Sequence, residues 1–364
     1  MSGRDGLLLG LACDRYGGSR LRQSSEFVLS LGFLVVLLGT GCSQRVDDAE
    51  TAIAADRTRS LVLYSGRNES LVAPLLEEAE RAVGVEIEVR YGDTSELAAT
   101  ILEEGDGSPA DIFLSQDAAA LGALSAAGRL KVLPAELLEA VPSRFRSNRG
   151  NWIGLSGRAR TLVFEPEHIA EGELPRSLEE IGDERFRGRF GLAPTNGSFQ
   201  AHMAVYRAVH GAEALDALLA SLAGNEPQFF PKNSAIVEAV IAGEIDFGLV
   251  NHYYLWRAVK EDPSVTARNF FVPEGQASSF INVAGAGVLS DRPEALEVVA
   301  YLLSQGAQDY FARETYEYPL VASAAPAVDL PPLDQVRSPE LDFARVSAVF
   351  EETLGAIDRA GLIR

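Results

Sequence analysis

Residues 231–255 read PKNSAIVEAVIAGEIDFGLVNHYYL. The first part, 234–242, has the character of a helix that Gly243 stops. Residues 245–250 follow as an apolar strand, and the polar run Asn251-His252-Tyr253-Tyr254 comes directly after it. A helix, a short turn, a buried strand and a polar loop form the repeating unit of an α/β protein. In such folds ligands sit at the C-terminal ends of strands, where loops meet helix N-termini. That single stretch therefore sets the fold class and points to a site.

The same alternation extends outward in both directions. Toward the N-terminus, strands are expected at 60–64, 86–91, 111–114 and 161–164. Helical spacing recurs from Ser70 through Leu71, Val72, Leu75, Leu76, Ala79, Ala82 and Val83. Asp93 with Glu96 reads as a capping box for a helix through Leu102, and an alanine-rich helix ends at Gly128. Further helices are expected at 199–209, 212–222, 293–304 and 343–357. The chain reads as α/β with largely parallel sheets. The loops after strands are 65–70, 115–117, 155–158, 194–198 and 251–254.

Composition narrows the function. The chain has 364 residues, 47% hydrophobic and 23% charged, with a formal charge of −20. That is a globular composition, and the acidity excludes a nucleic-acid partner, which requires basic patches. The two cysteines, Cys13 and Cys42, supply no disulfide scaffold or zinc ribbon. Four scattered histidines give no zinc-hydrolase pair. Residues 154–157 are not a GxSxG elbow, Gly285-Ala-Gly287 lacks a third glycine, and no P-loop occurs. No nucleophile–base pair marks an enzyme.

The N-terminus reads as an address. Arg20 and Arg22 precede the apolar run 27–38, then Gly39-Thr40-Gly41 and Cys42. This resembles a bacterial lipoprotein signal, with Cys42 as the lipidated residue; an ordinary cleaved secretory signal is the other reading. Both export the mature chain. Residues 1–42 are assigned to the signal, 43–58 to a polar linker and 59–364 to the folded domain.

Two readings stand for Tyr253-Tyr254: the rings pack in the core, or the phenols bind a hard cation. The turn 194–199 (PTNGSF) and Leu155-Ser-Gly-Arg158 each offer anion-binding groups, with capping and turn geometry as the alternative. Lys232-Asn-Ser234 reads as a helix cap, and Tyr316-Glu-Tyr-Pro319 either brings another phenol to a site or packs its loop.

Taken together, ordered segments resemble a known family: LYSGRNESL from Leu63, GDTSELAATILEEGDGSPADIF from Gly92, WIGLSGRAR from Trp152, APTNGSF from Ala193, the opening stretch, and EYPL from Glu317. The family is the bacterial periplasmic ferric-iron-binding proteins, the solute receptors of iron ABC importers. The resemblance implies two α/β lobes of the type II kind, joined by crossing hinge strands. Lobe 1 would span about 59–157 plus 284–335, and lobe 2 about 158–283 plus 336–364. It implies Tyr253 and Tyr254 as Fe(III) ligands. It also implies a synergistic phosphate or carbonate at Ser156, Gly157 and Asn196, with Asn251 nearby and Arg158 helping by charge. The expected partners are an ABC permease and, through the lipid anchor, a membrane; the expected state is a monomer, not an enzyme.

The sequence departs from the family at two ligand positions. Asn68 and Gln116 stand where well-studied members have histidine and glutamate. Neutral amides are poor ligands for a trivalent ion. Three outcomes follow: two phenolates complete their shell with anions or water; Asp117 or Glu69 supplies a carboxylate; or the cargo is a ferric chelate held by Arg67, Asn68 and Gln116. A receptor of the same fold for another anion or small organic solute is the alternative function.

Overall fold

The computed structural model describes residues 60–363, apart from 337, 340 and 342. The signal at 1–42, its Cys42, the linker at 43–58 and residue 59 lie outside the described residues.

The chain opens with β1 (Ser60–Ser65), α1 (Glu69–Val83), β2 (Glu86–Tyr91), α2 (Thr94–Glu104), β3 (Ile112–Ser115) and α3 (Ala118–Ala126). Strands β2, β1 and β3 are parallel neighbours, with Ser60 opposite Glu86 and Leu63 opposite Ile112. Leu61, Leu63, Ile112 and Phe113 are fully buried, because helices cover the parallel sheet. Asp93 caps α2 by accepting from the Ser95 and Glu96 backbone N–H groups.

Next comes β4 (Ile153–Phe164), whose twelve residues are all buried. The second half of the chain supplies β5 (Phe190–Leu192), α4 (Gly197–His210), α5 (Ala212–Gly224), β6 (Gln228–Phe229), α6 (Asn233–Ile241), β7 (Phe247–Asn251), α7 (Tyr253–Glu261) and β8 (Arg268–Phe270). It returns through β9 (Ile281–Val288), α8 (Pro293–Leu302), α9 (Gln305–Tyr310) and β10 (Tyr318–Pro319), then ends in α10 (Phe343–Ala348) and α11 (Phe350–Arg359).

The architecture is two α/β lobes joined through β4. Its first half lies between β9 and β10 in the sheet of β1–β3. Its second half lies between β7 and β8 in the sheet that carries β5 and β6. Every one of those contacts along β4 is antiparallel, as is β3 with β9. The expectation of largely parallel sheets is corrected accordingly. The lobe strands proper are parallel, and the strands that cross between lobes run against them.

Residues 155–158 are also corrected, from a loop to the middle of β4. Their glycine looked like a turn signal, yet it lies in a tightly packed strand. A Cβ on Gly157 would sit 3.1 Å from Ile281, and one on Gly154 would sit 2.6 Å from the Phe145 carbonyl oxygen. Between Gly154 and Ser156 the register with β9 shifts by one residue, leaving Leu155 as a bulge.

The helix expected at 343–357 breaks at Val349, where φ is −104° and ψ 2°. The two halves serve different partners. α10 packs on α3 and α4, whereas α11 packs on α4 and α5. Among the described residues no helix is long and apolar enough to cross a membrane.

Candidate functional site

Strand β7 ends at Asn251, paired with Arg160 of β4. His252 flanks the start of α7, so Tyr253 and Tyr254 occupy its first turn. In a strand these two side chains would diverge. On a helix they lie about 100° apart. Their ring centroids are 4.5 Å apart at 30°. Tyr253 is 6% exposed and Tyr254 is half-buried. Arg257, one turn on, lies over both rings, 4.7 Å from the Tyr253 centroid and 5.6 Å from that of Tyr254.

Burial first, and the neighbouring Tyr253 second, push the Tyr254 phenol well above its ordinary range. Arg257 and Arg158 oppose that shift without overcoming it. Without a cation to bind, Tyr254 is a neutral phenol at pH 7. A hard metal ion would reverse the balance, since the ion itself becomes the largest local charge.

His252, beside the pair, is not free to act as a ligand. Its Nδ1 accepts the Ala159 backbone N–H at 3.1 Å, which leaves Nε2 to donate to the Tyr316 carbonyl at 2.8 Å. Burial lowers its pKa to about 4, so it is a neutral strut between β4, α7 and the segment before β10.

Behind the tyrosines lies Arg160, 2% exposed. Its Nη1 donates to Ser198 Oγ, Asn233 Oδ1 and Asn251 Oδ1 at 3.2, 2.9 and 3.2 Å, and its Nη2 donates to the Leu249 carbonyl at 2.9 Å. Burial lowers its pKa to about 9, with the two phenols acting in the opposite direction. The guanidinium is therefore still charged at neutral pH. Asn251 Nδ2 in turn faces the Tyr253 oxygen at 3.4 Å. Asn196 caps α4 by accepting from Ser198 N at 3.1 Å, and its Oδ1 also accepts from Asn233 Nδ2 at 3.0 Å. The structure thus gathers Asn196, Asn251, Tyr253 and Tyr254 at one corner, where α4, α6 and α7 begin.

The other expected residues are distributed differently. Arg158 projects from β4 to the first lobe and donates to the Gln116 carbonyl. Ser156 is wholly buried and donates its hydroxyl to the Glu317 carboxylate. Glu317 also pairs with Arg67 at 2.9 Å. Gly157 is opposite Val283 and Tyr318 within the sheet. Asp117 caps α3 through the Ala120 N–H at 3.0 Å. Burial pushes its carboxyl above the usual range, against the pull of that N–H and of Arg158. Asn68, which is exposed, caps α1 by accepting from Ser70 N at 3.0 Å and Ser70 Oγ at 2.7 Å. Arg67 is committed to Glu317, while Glu69 is exposed in the first turn of α1.

Among the described residues no group of three or more His, Cys, Asp and Glu side chains could hold a metal ion. The donor chemistry concentrated in this region is phenolic and amidic. Comparison with known proteins gives the corner its context. The family model for bacterial extracellular solute-binding proteins matches residues 107–347. The chain belongs to that family. Its relatives include proteins named for ferric-iron binding. The major ferric iron-binding protein of Neisseria meningitidis serogroup A is 30% identical over 326 residues, covering 86% of this chain and 96% of the relative. Iron-bound HitA from Pseudomonas aeruginosa superposes with a TM-score of 0.75 at 30% identity, covering 83% of this chain and 99% of that one. Trichodesmium IdiA (FutA), solved with iron and citrate ligands, gives a TM-score of 0.73 at 27% identity, covering 83% of this chain and 99% of that one.

As a solute-binding protein the chain has a corner better supplied than its sequence suggested. Arg160 and Arg257 were not singled out, and Asn233 was read with its neighbours only as a cap. Asn233 instead stands at the first position of α6 and bonds Arg160 and the Asn251 N–H. The available signal was an alternating pair of arginines, Arg158 and Arg160, ahead of an apolar run, since i and i+2 share a strand face. Glu317 and Arg67 carried no comparable signal, because each has its partner far away in the chain.

Proposed function

We propose that this protein is an exported receptor that captures Fe(III) and delivers it to an ABC import permease. The observation that carries the proposal is the placement of Tyr253 and Tyr254 side by side on the first turn of α7, with rings 4.5 Å apart. Anionic phenolate oxygens are hard donors, suited to a hard trivalent ion. The relatives named for ferric iron support the same reading. We take the metal-facing set to be Tyr253 and Tyr254 on one side, with Gln116, Asp117 and Asn68 on the loops of the other lobe.

Two phenolates leave positive charge on a ferric ion, and Arg158 adds more nearby. A small anion at Asn196, Asn251 and Arg158, or a chelating carboxylate that arrives with the metal, would complete the shell. Ser156 and Gly157 belong in this reading to the hinge that frames the anion, since Ser156 already bonds Glu317. The lobes divide near the middle of β4, roughly as 59–157 with 284–335 and 158–283 with 336–364. Cargo that touches both lobes favours the closed state by its differential affinity for that state. Closure then presents a surface to the permease. Cys42 is the proposed lipid anchor, and the protein binds without catalysing a reaction.

The test is spectroscopic. Ferric nitrilotriacetate or ferric citrate is added to the metal-free protein and the visible spectrum recorded. A phenolate-to-iron charge-transfer band is expected, and it should be lost in the Tyr253→Phe, Tyr254→Phe double variant. A colourless protein that keeps no iron after dialysis overturns the proposal.

A further inference from the structure

Arg160 is a buried cation whose four hydrogen bonds among the described residues all go to neutral oxygens. A guanidinium has donors and no acceptor. Every group that meets it must therefore present an oxygen. That requirement settles which way the adjacent carboxamides face. Asn251 turns Oδ1 toward Arg160 at 3.2 Å, so its Nδ2 faces the Tyr253 oxygen at 3.4 Å. Asn233 turns Oδ1 toward Arg160 at 2.9 Å, so its Nδ2 faces Asn196 Oδ1 at 3.0 Å. A neutral acceptor in place of Arg160 would remove the preference, and the Asn251 amide could present its oxygen to the phenol instead.

We propose that Arg160 is a positioning residue for the cargo: by holding Asn251 Oδ1 it aims the Asn251 amide N–H at the Tyr253 oxygen that meets the metal. The inference rests on the ferric reading above and names a residue that tunes the same site. Groups that orient a ligand from behind commonly govern metal affinity by about 10- to 100-fold. Arg160 never reaches the metal in this arrangement. Its influence passes through one carboxamide.

The experiment compares Arg160→Met, Arg160→Lys, Asn251→Ala and the Arg160→Met, Asn251→Ala double variant. Each is titrated with ferric nitrilotriacetate while the charge-transfer band is followed. Loss of an N–H bond to a ligating phenolate raises the energy of its electrons, so the band moves to longer wavelength. Arg160→Met and Asn251→Ala should both shift the band and weaken iron retention by about 10-fold or more. Arg160→Lys, which also only donates, should keep the band in place. In the Asn251→Ala background, Arg160→Met should add less than about a twofold further loss, since both act through one contact. An unmoved band in Asn251→Ala, or losses that multiply in full in the double variant, overturns the inference. Should Arg160→Met not fold, Arg160→Gln, whose carboxamide accepts as well as donates, takes its place: it must move the band and Arg160→Lys must not. If the unmodified protein shows no band, the ferric reading and this inference both fall. A normal band that none of the variants moves overturns only the inference.

Discussion

The Arg67 guanidinium meets the Glu317 carboxylate at 2.9 Å, and both side chains are 2% exposed. The contact ties the loop after β1 to the segment entering β10, with Ser156 of β4 donating to the same carboxylate. Three distant parts of the chain therefore meet on one buried charge. Removing one partner strands the other. Glu317→Ala should cost about 3–5 kcal/mol of stability, read from urea unfolding midpoints. A loss under 1 kcal/mol would show that water reaches the pair.

The same carboxylate gives a pH dependence. Burial pushes Glu317 up, but Arg67, Arg158 and the Ser156 bond outweigh it, so its folded pKa lies below the usual carboxylate value. A depressed acid stabilises the fold above its unfolded pKa, about 4.3, and that stability is lost as pH falls through the folded value. Urea midpoints should drop below about pH 4 in the unmodified protein. Glu317→Gln should flatten that part of the curve.

His202 predicts a slope at higher pH. It is fully buried in α4, its Nε2 donates to the Ala277 carbonyl at 2.6 Å, and burial, with Arg160 nearby, lowers its pKa to about 3. The unfolded chain, titrating near 6.5, binds a proton that the fold refuses. Stability is thus complete above pH 6.5 and falls as pH drops from there toward 3, by at most about 1.4 kcal/mol per pH unit. Comparing unfolding at pH 7 and 5 in His202→Gln should reveal the missing slope; an unchanged slope would assign it to another group.

Gln116 lies on the loop after β3, where the family resemblance implies a glutamate, and its backbone carbonyl already receives Arg158. Gln116→Glu keeps the size and backbone and adds a hard anionic oxygen. Iron should then be held about 10-fold tighter, as judged by competition with citrate. Equal or weaker retention would place position 116 outside the metal's reach.

Gly154 tests the hinge packing. An added Cβ would lie 2.6 Å from the Phe145 carbonyl oxygen, closer than such atoms approach, so backbone must move. Gly154→Ala should destabilise the protein by about 1–3 kcal/mol in thermal or urea unfolding. A neutral effect would mean that β4 shifts freely at its bulge.

The alternation of strands and helices was legible because it is written locally. Apolar period, helix caps such as Asp93 and the strand-then-tyrosines order of 245–254 depend on neighbours a few residues apart. The sequence placed Tyr253 and Tyr254 in a loop after a strand; that they open α7 instead is decided by the structure. Crossing strands were implied by the family resemblance, but the local pattern did not place them. Residues 155–158 and 281–288 carry glycines that imitate loops; Gly157 is instead crowded by Ile281 of β9 and Tyr318 of β10, and Gly285 by the Ile153 carbonyl and Leu121.

By itself, then, the sequence determined the α/β class, most element positions, the phenolic corner and the family to which the chain belongs. Tertiary structure alone decided that Ser156 belongs to Glu317, that Arg67 belongs to the same carboxylate, and that Arg160 holds Asn251 Oδ1. The physical reason is range. Periodicity and capping act over one or two turns, whereas a buried arginine needs partners without specifying where in the chain they lie. Arg67 finds its carboxylate 250 residues away, and nothing in the local pattern at either end names the other.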